Sequence, residues 1–294
     1  MSERTAFINA ILDNPTDDTA RLVFADWLEE RGERERAEFI RLQIEADKSP
    51  TSEHHRNALR ARTTGVEAVH GATWRAAVGI DQRRGVYERG FLTKLEFLST
   101  LFPILAEALL TVEPVTVTIH LVGQHEDDSA VTLEEIDEFA SDPYLRAVTK
   151  ISSQGGFGRE RFVRLMKSPY LINLREIDIF QEPLGADGIE AVVNAPASFK
   201  LESLTLNEAL QDDSGDEGRA VELLATSPRF ASLKALGLMF NELTDESIRV
   251  LLASKTLPRT MRIELEDNAY DEEEFAESLA ARFGVESDGD SGDE

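Results

Sequence analysis

The sequence predicts an α/β chain: a helical N-terminal module followed by a short solenoid, with parallel strands on the concave face and helices on the convex face. Three observations predict it. Apolar residues in the first 48 positions recur at helical spacing, and an alternating apolar motif returns every 26 to 32 residues from 148 onward. A Ser- and Pro-containing turn recurs at a matching phase of that period. One strand plus one helix cannot bury its own apolar face, so such units must stack on their neighbours. With 294 residues and 41% hydrophobic side chains, the chain is long enough for a substantial core. The expected divisions are a helical module over 1–48, a helical linker or cap over 49–90, the repeats over 91–284 and an acidic, disordered tail over 285–294.

Phe7, Ile8, Ile11 and Leu12 mark a first helix, ended by the breaker cluster Asp13-Asn14-Pro15-Thr16. Thr16 or Asp17 caps a second, which carries Leu22, Val23, Trp27 and Leu28 and stops at Arg31-Gly32. A third runs from about Glu33 to Asp47 with Ala37, Phe39, Ile40, Leu42 and Ile44 inward. A further helix from about Glu53 to His70, broken near Gly65, leads to Trp74. Two blocks here are distinctive: Ala20-Arg-Leu-Val-Phe-Ala-Asp-Trp-Leu-Glu-Glu-Arg-Gly32 and Arg36-Ala-Glu-Phe-Ile-Arg-Leu-Gln43. Over about the first 48 residues they resemble the bacterial repeat-companion domain of planctomycetes and myxobacteria, with weaker similarity through Trp74 and Arg89-Gly90-Phe91. Gly32-Glu33 stands where that family commonly has Gly-Asp. The resemblance implies a module that precedes leucine-rich or similar repeats, and it implies no enzymatic activity.

The remainder carries such repeats on its own terms. Leu233-Lys-Ala-Leu236-Gly-Leu238-Met-Phe-Asn241-Glu-Leu243 fits the leucine-rich signature L-x-x-L-x-L-x-x-N-x-L. Further copies are Thr260 to Tyr270, Leu174 to Leu184 and Leu201 to Ala209, with Val148 to Ile151 degenerate. Aligned on Ile151, Ile177, Leu204, Leu236 and Ile263, the spacings are 26, 27, 32 and 27. The long one contains the polar loop Asp212–Asp216. Helical halves are expected at Ile189–Asn194, Arg219–Thr226, Asp245–Ser254 and Asp271–Phe283. Ser141-Asp-Pro-Tyr-Leu145, Ser168-Pro-Tyr-Leu171 and Ser227-Pro-Arg-Phe230 close the preceding helices and return an apolar residue to the core. Upstream, Leu92–Phe97 and Val112–Leu121 are expected as irregular first strands around a helix at Leu98–Leu110. Asn241 and Asn268 are expected to turn inward and bond the backbone.

Charge narrows the function. Residues 1–100 hold 15 basic and 17 acidic side chains, whereas 101–294 hold 16 basic and 39 acidic. That excess disfavours nucleic acid and anionic membranes, whose recognition rests on Lys and Arg. It suits solubility or a basic protein partner. No apolar run reaches the ~20 residues of a membrane span. The absence of cysteine removes disulfides and thiolate sites and fits a cytoplasmic chain. Asp26, Glu29, Glu30 and Glu38 read as solvated or paired helix faces. His120 and His125 beside Glu126, Asp127 and Asp128 come nearest to a metal set, and no metal or cofactor is expected. Gln154-Gly-Gly-Phe-Gly158 lacks the Lys-Ser/Thr of a phosphate loop and reads as a loose loop.

The strand register places Lys94, Glu96, Thr116, Thr118, His120, Lys150, Ser152 and Gln154 outward on the concave side. The expected partner-binding residues are Glu176, Asp178, Phe180, Asn207, Met239, Arg262, Glu264 and Glu266. Phe180 and Met239 supply an apolar strip and the acidic groups a charged rim. The function this points to is non-enzymatic protein binding. The alternatives are a regulatory or protease-substrate protein of a bacterial stress, defence or signalling system, with Asp212–Glu217 and the acidic tail as exposed segments, and a cryptic metal-dependent hydrolase around His120.

Overall fold

The computed structural model describes residues 2–48, 53–80, 85–125, 128–211 and 217–283. It is α/β, with helices α1 (Glu3–Asp13), α2 (Asp18–Glu30), α3 (Arg34–Lys48) and α4 (Glu53–Ala77) leading. Strands β1 (Val86–Glu88) and β2 (Phe91–Thr93) pair antiparallel. Then follow β3 (Leu95–Leu98), α5 (Phe102–Leu110), β4 (Val117–His120), α6 (Leu133–Ala140), β5 (Val148–Ser153), α7 (Arg159–Leu165), β6 (Glu176–Phe180) and α8 (Gly185–Val193). The last elements are β7 (Ser203–Asn207), α9 (Glu217–Thr226), β8 (Ala235–Gly237), α10 (Asp245–Ala253), β9 (Arg262–Glu264) and α11 (Glu272–Phe283). Strands β3 to β9 make a seven-stranded sheet in chain order. The chain divides into two compact units, Met1–Ile119 with Arg146–Val148, and His120–Leu145 with Thr149–Glu294. The divisions expected after 48 and after 90 both fall inside the first.

In that first unit, α2 begins where Asp17 accepts the Thr19 N–H at 2.8 Å, and it ends at Gly32 with φ of 88°. Its core joins Ile11, Phe24, Ala25, Leu28, Ala37, Ile40 and Ile44 to Phe91 of β2. The block Arg89-Gly90-Phe91 explains why the hairpin belongs to this core. Arg89 donates to the Pro15 and Thr16 carbonyls and pairs with Asp18. Gly90, at φ of 93°, lies so close to α3 that a Cβ there would sit 2.8 Å from the Ile40 Cα. Phe91 stacks on Phe24 at 5.9 Å. The helix break expected at Gly65 does not occur, and α4 runs through it. That glycine costs a helix only about 1 kcal/mol, which packing of the α4 face that buries Leu59, Thr63, Gly71 and Arg75 offsets. His54 and His55 lie in the first turn of α4; residues 49–52 are outside the described residues.

A buried ion pair sits in the same unit. Arg36 pairs with Glu113, and both side chains are under a tenth exposed. The guanidinium lies 4.6 Å from the Trp74 ring, 5.1 Å from Tyr87, 5.5 Å from Phe91 and 5.6 Å from Phe39. Glu113 also accepts the Leu92 N–H at 3.0 Å. Burial pushes the neighbouring Tyr87 hydroxyl up to about 12, helped by the Glu113 carboxylate.

The second unit repeats one construction. Strands β5 to β9 pair in parallel, with Ile151 opposite Ile177, Ile177 opposite Leu204, Leu204 opposite Leu236 and Leu236 opposite Ile263. These five aliphatics and Ile179, Leu206, Leu238 and Leu265 are buried. Alternation sets this, because successive side chains of a strand leave opposite faces. Helices α6 to α11 pack each on the next. After the helices one turn recurs. Asp142, Ser168, Ser227 and Ser254 each accept the N–H two residues on, and Leu145, Leu171, Phe230 and Leu257 behind them are buried. Val112–Leu121, expected as strand, is strand over Val117–His120.

Polar side chains tie the ends of the strands together. Asn241, fully buried, accepts the Ala209 and Leu210 N–H groups at 2.9 and 2.8 Å and donates to the Leu206 and Met239 carbonyls at 2.7 and 3.0 Å. Asn268 does the same one strand on, accepting from Asn241 and Leu243 and donating to Leu238 and Leu265. At the equivalent place stands Glu182, whose carboxylate accepts the Phe157 and Gly158 N–H groups and the Ser153 hydroxyl. The Gln154–Gly158 segment is therefore packed, not loose: Phe157 is fully buried, and a Cβ on Gly155 would lie 2.8 Å from the Gln181 carbonyl.

Candidate functional site

The strand alternation that buries the aliphatics sends the intervening residues outward in register. One row is Lys150, Glu176, Ser203, Ala235 and Arg262; the next is Ser152, Asp178, Thr205, Gly237 and Glu264, in which Ser152 and Gly237 are buried. Phe180 stands opposite Asn207 in the third, where the Met239 N–H bonds the Asn207 Oδ1 at 3.0 Å. The centre of this face is low. Ser203, Thr205 and Ala235 are small, and a Cβ on Gly237 would meet Thr205, Asn207 and Glu264 at 3.1 to 3.4 Å.

The candidate residues divide by how they are engaged. Lys150 lies 2.9 Å from Asp178 and 3.8 Å from Glu176, and Arg262 lies 2.9 Å from Glu264. Those three acids are thus partly neutralised from within, which weakens the expected acidic rim over the middle of the sheet. Asn207 uses its oxygen on the Met239 backbone and so positions the next strand. Phe180 and Met239 are half-buried, and Glu266 is exposed with no ion-pair partner among the described residues. His120 and His125 do not converge: His120 Nδ1 lies 2.7 Å from Ser152 Oγ, and His125 lies 3.1 Å from Glu135. Among the described residues no three His, Asp or Glu side chains gather as a metal set. Glu126, Asp127, residues 212–216 and the tail from 284 lie outside the described residues. No described helix is long and apolar enough to cross a membrane.

At the strand starts, Glu202 bridges Arg175 at 2.7 Å and Lys234 at 2.5 Å. The hydrogen bond from Lys234 chiefly, and that from Arg175, hold its carboxyl below the ordinary range. A depressed folded pKa gives stability that is complete above the unfolded value near 4.3 and is lost as pH falls through the folded one. The urea midpoint is therefore expected to drop on acidification below about pH 4, and Glu202→Gln to flatten that drop while lowering the midpoint at pH 7.

The strand ends carry a feature the sequence reading missed. Gly155, Gln181, Glu208, Phe240 and Asp267 all have positive φ, at 91°, 51°, 52°, 58° and 58°, and they recur with the repeat. The left-handed turn costs a non-glycine residue about 1–2 kcal/mol, and an aromatic residue there is uncommon. Phe240 nevertheless occupies it and is 43% exposed. Its position in the series of equivalent turn residues was the available signal. No known family model matches the chain, and no curated protein or solved structure matches it either.

Proposed function

We propose that the chain is a non-enzymatic protein-binding module. In this reading it is a cytoplasmic leucine-rich solenoid behind a helical module of the repeat-companion type, holding a protein partner on the concave face of its sheet. The observation that carries the proposal is the register of β5 to β9, which gathers outward side chains from five separate segments into continuous rows. The inward asparagines and the repeated left-handed turn support the leucine-rich reading. Binding would bury what remains exposed of the half-buried Phe180 and Met239 side chains, each adding about 1 kcal/mol, a part of what full burial from water is worth, with charged groups fixing orientation.

The test is affinity capture from native cell extract at two salt concentrations, followed by titration of the purified partner. Phe180→Ala with Met239→Ala should weaken that titration about tenfold or more and leave the circular dichroism spectrum unchanged. Equal binding by the double variant removes this face from consideration.

A further inference from the structure

The charge at the ends of β7 to β9 is one-sided, whereas Arg159 reaches the Pro183 carbonyl beyond β6. Between Phe180 and Leu184, Asn207 and Gln211, Met239 and Ser247, and Leu265 and Ala276, the sequence has no Lys or Arg. The strand starts carry Arg175, Lys234 and Arg262 instead. At the strand ends Glu208, Glu242 and Asp267 are exposed and have no ion-pair partner among the described residues. Backbone hydrogen bonds fix their order: the Glu208 N–H bonds the Met239 carbonyl, and the Phe240 N–H bonds the Glu266 carbonyl. Phe240 thus occupies the turn between the turns of Glu208 and Asp267, an exposed aromatic residue flanked in order by two acidic ones.

We infer that this rim binds a basic peptide segment of the partner, with an arginine of that segment lying on the Phe240 ring between Glu208 and Asp267. The inference rests on the protein-binding reading and names the partner's chemistry. A cation is attracted to the face of an aromatic ring, and a planar guanidinium stacks there while offering its fork of N–H donors to flanking carboxylates. Lysine carries the same charge without that plane. The basic strand starts oppose a second cationic contact at the other end of the sheet, which gives the segment one preferred placement.

The probe is fluorescein-labelled nona-arginine, compared with nona-lysine, bound to the full chain and followed by anisotropy at low and high salt. The expected result is tighter binding of the arginine peptide. Phe240→Gly, which suits the left-handed turn and preserves the thermal midpoint, should weaken arginine binding about threefold or more and remove the preference over lysine. Glu208→Gln with Asp267→Asn should weaken both peptides and reduce the salt dependence, whereas Glu134→Gln with Glu138→Gln on α6 removes the same charge and should change neither. Arginine binding indifferent to Phe240→Gly, or weakened equally by the α6 pair, overturns the inference. The two readings separate in parallel assays: partner binding lost in the Phe180 and Met239 variant with peptide binding indifferent to Phe240 overturns the rim alone. The reverse pattern overturns the sheet face alone.

Discussion

Replacing Asn241 with alanine is expected to destabilise the protein by about 3–5 kcal/mol, among the larger effects of a single change. The amide makes four hydrogen bonds to backbone groups of two successive strand ends and is completely shielded from water. Alanine leaves two N–H groups and two carbonyls without it, and each buried unpaired group costs about 1–3 kcal/mol before relaxation. Asn241→Asp separates the donor and acceptor roles. An ionised aspartate still accepts from Ala209 and Leu210 but turns oxygen toward the Leu206 and Met239 carbonyls. Its protonated form restores one donor. Folding then favours the protonated acid, its folded pKa lies above the unfolded value, and stability rises as pH falls through the folded pKa. Urea melts followed by far-UV circular dichroism at neutral and mildly acidic pH check this. The aspartate variant should recover toward wild type in acid, opposite in sign to the Glu202 contribution.

The second large effect lies in the first unit. Arg36→Leu is expected to cost about 3–5 kcal/mol, because it leaves the Glu113 carboxylate buried without its cation. The loss is a property of the broken pair. Arg36→Leu combined with Glu113→Gln keeps an acceptor for the Leu92 N–H and removes the stranded charge, so it should recover most of the stability. Both tryptophans, Trp27 and Trp74, lie in this unit, and the Trp74 ring is 4.6 Å from the guanidinium. Tryptophan fluorescence during urea unfolding therefore reads this unit directly. A double variant no more stable than the single would show that the aromatic packing around the cation, not its charge, carries the energy.

Much of this architecture was legible because its signals are periodic. Ile177, Leu204, Leu236 and Ile263 stand at the fourth position of a recurring motif, and the register places them side by side. The inward roles of Asn241 and Asn268 followed from the same alignment. What the sequence hid was set by tertiary distance. Strands β1 and β2 have three residues each, too few for alternation to rise above chance, and Gly90 is legible only once α3 lies against it. Glu182 stood in the asparagine column without a readable role, since its meaning depends on N–H groups in the preceding repeat. The pairing of Lys150 with Glu176 and Asp178 was likewise invisible, because it joins neighbouring strands. Phe240 was read as a variable position between two consensus residues; its backbone conformation, not its hydrophobicity, makes it unusual.

The link between Arg36 and Glu113 bears on how the chain acquires its structure as the ribosome releases it. The two residues are 77 positions apart. Until Glu113 has left the exit tunnel, the cation on α3 has no counterion, and Phe91 must already have arrived to close the apolar cluster beneath it. The first three helices, which end at Lys48, thus stay incomplete until Glu113 has been added and released, and truncated polypeptides ending at 48 or 90 are expected to be targets for chaperones and proteolysis.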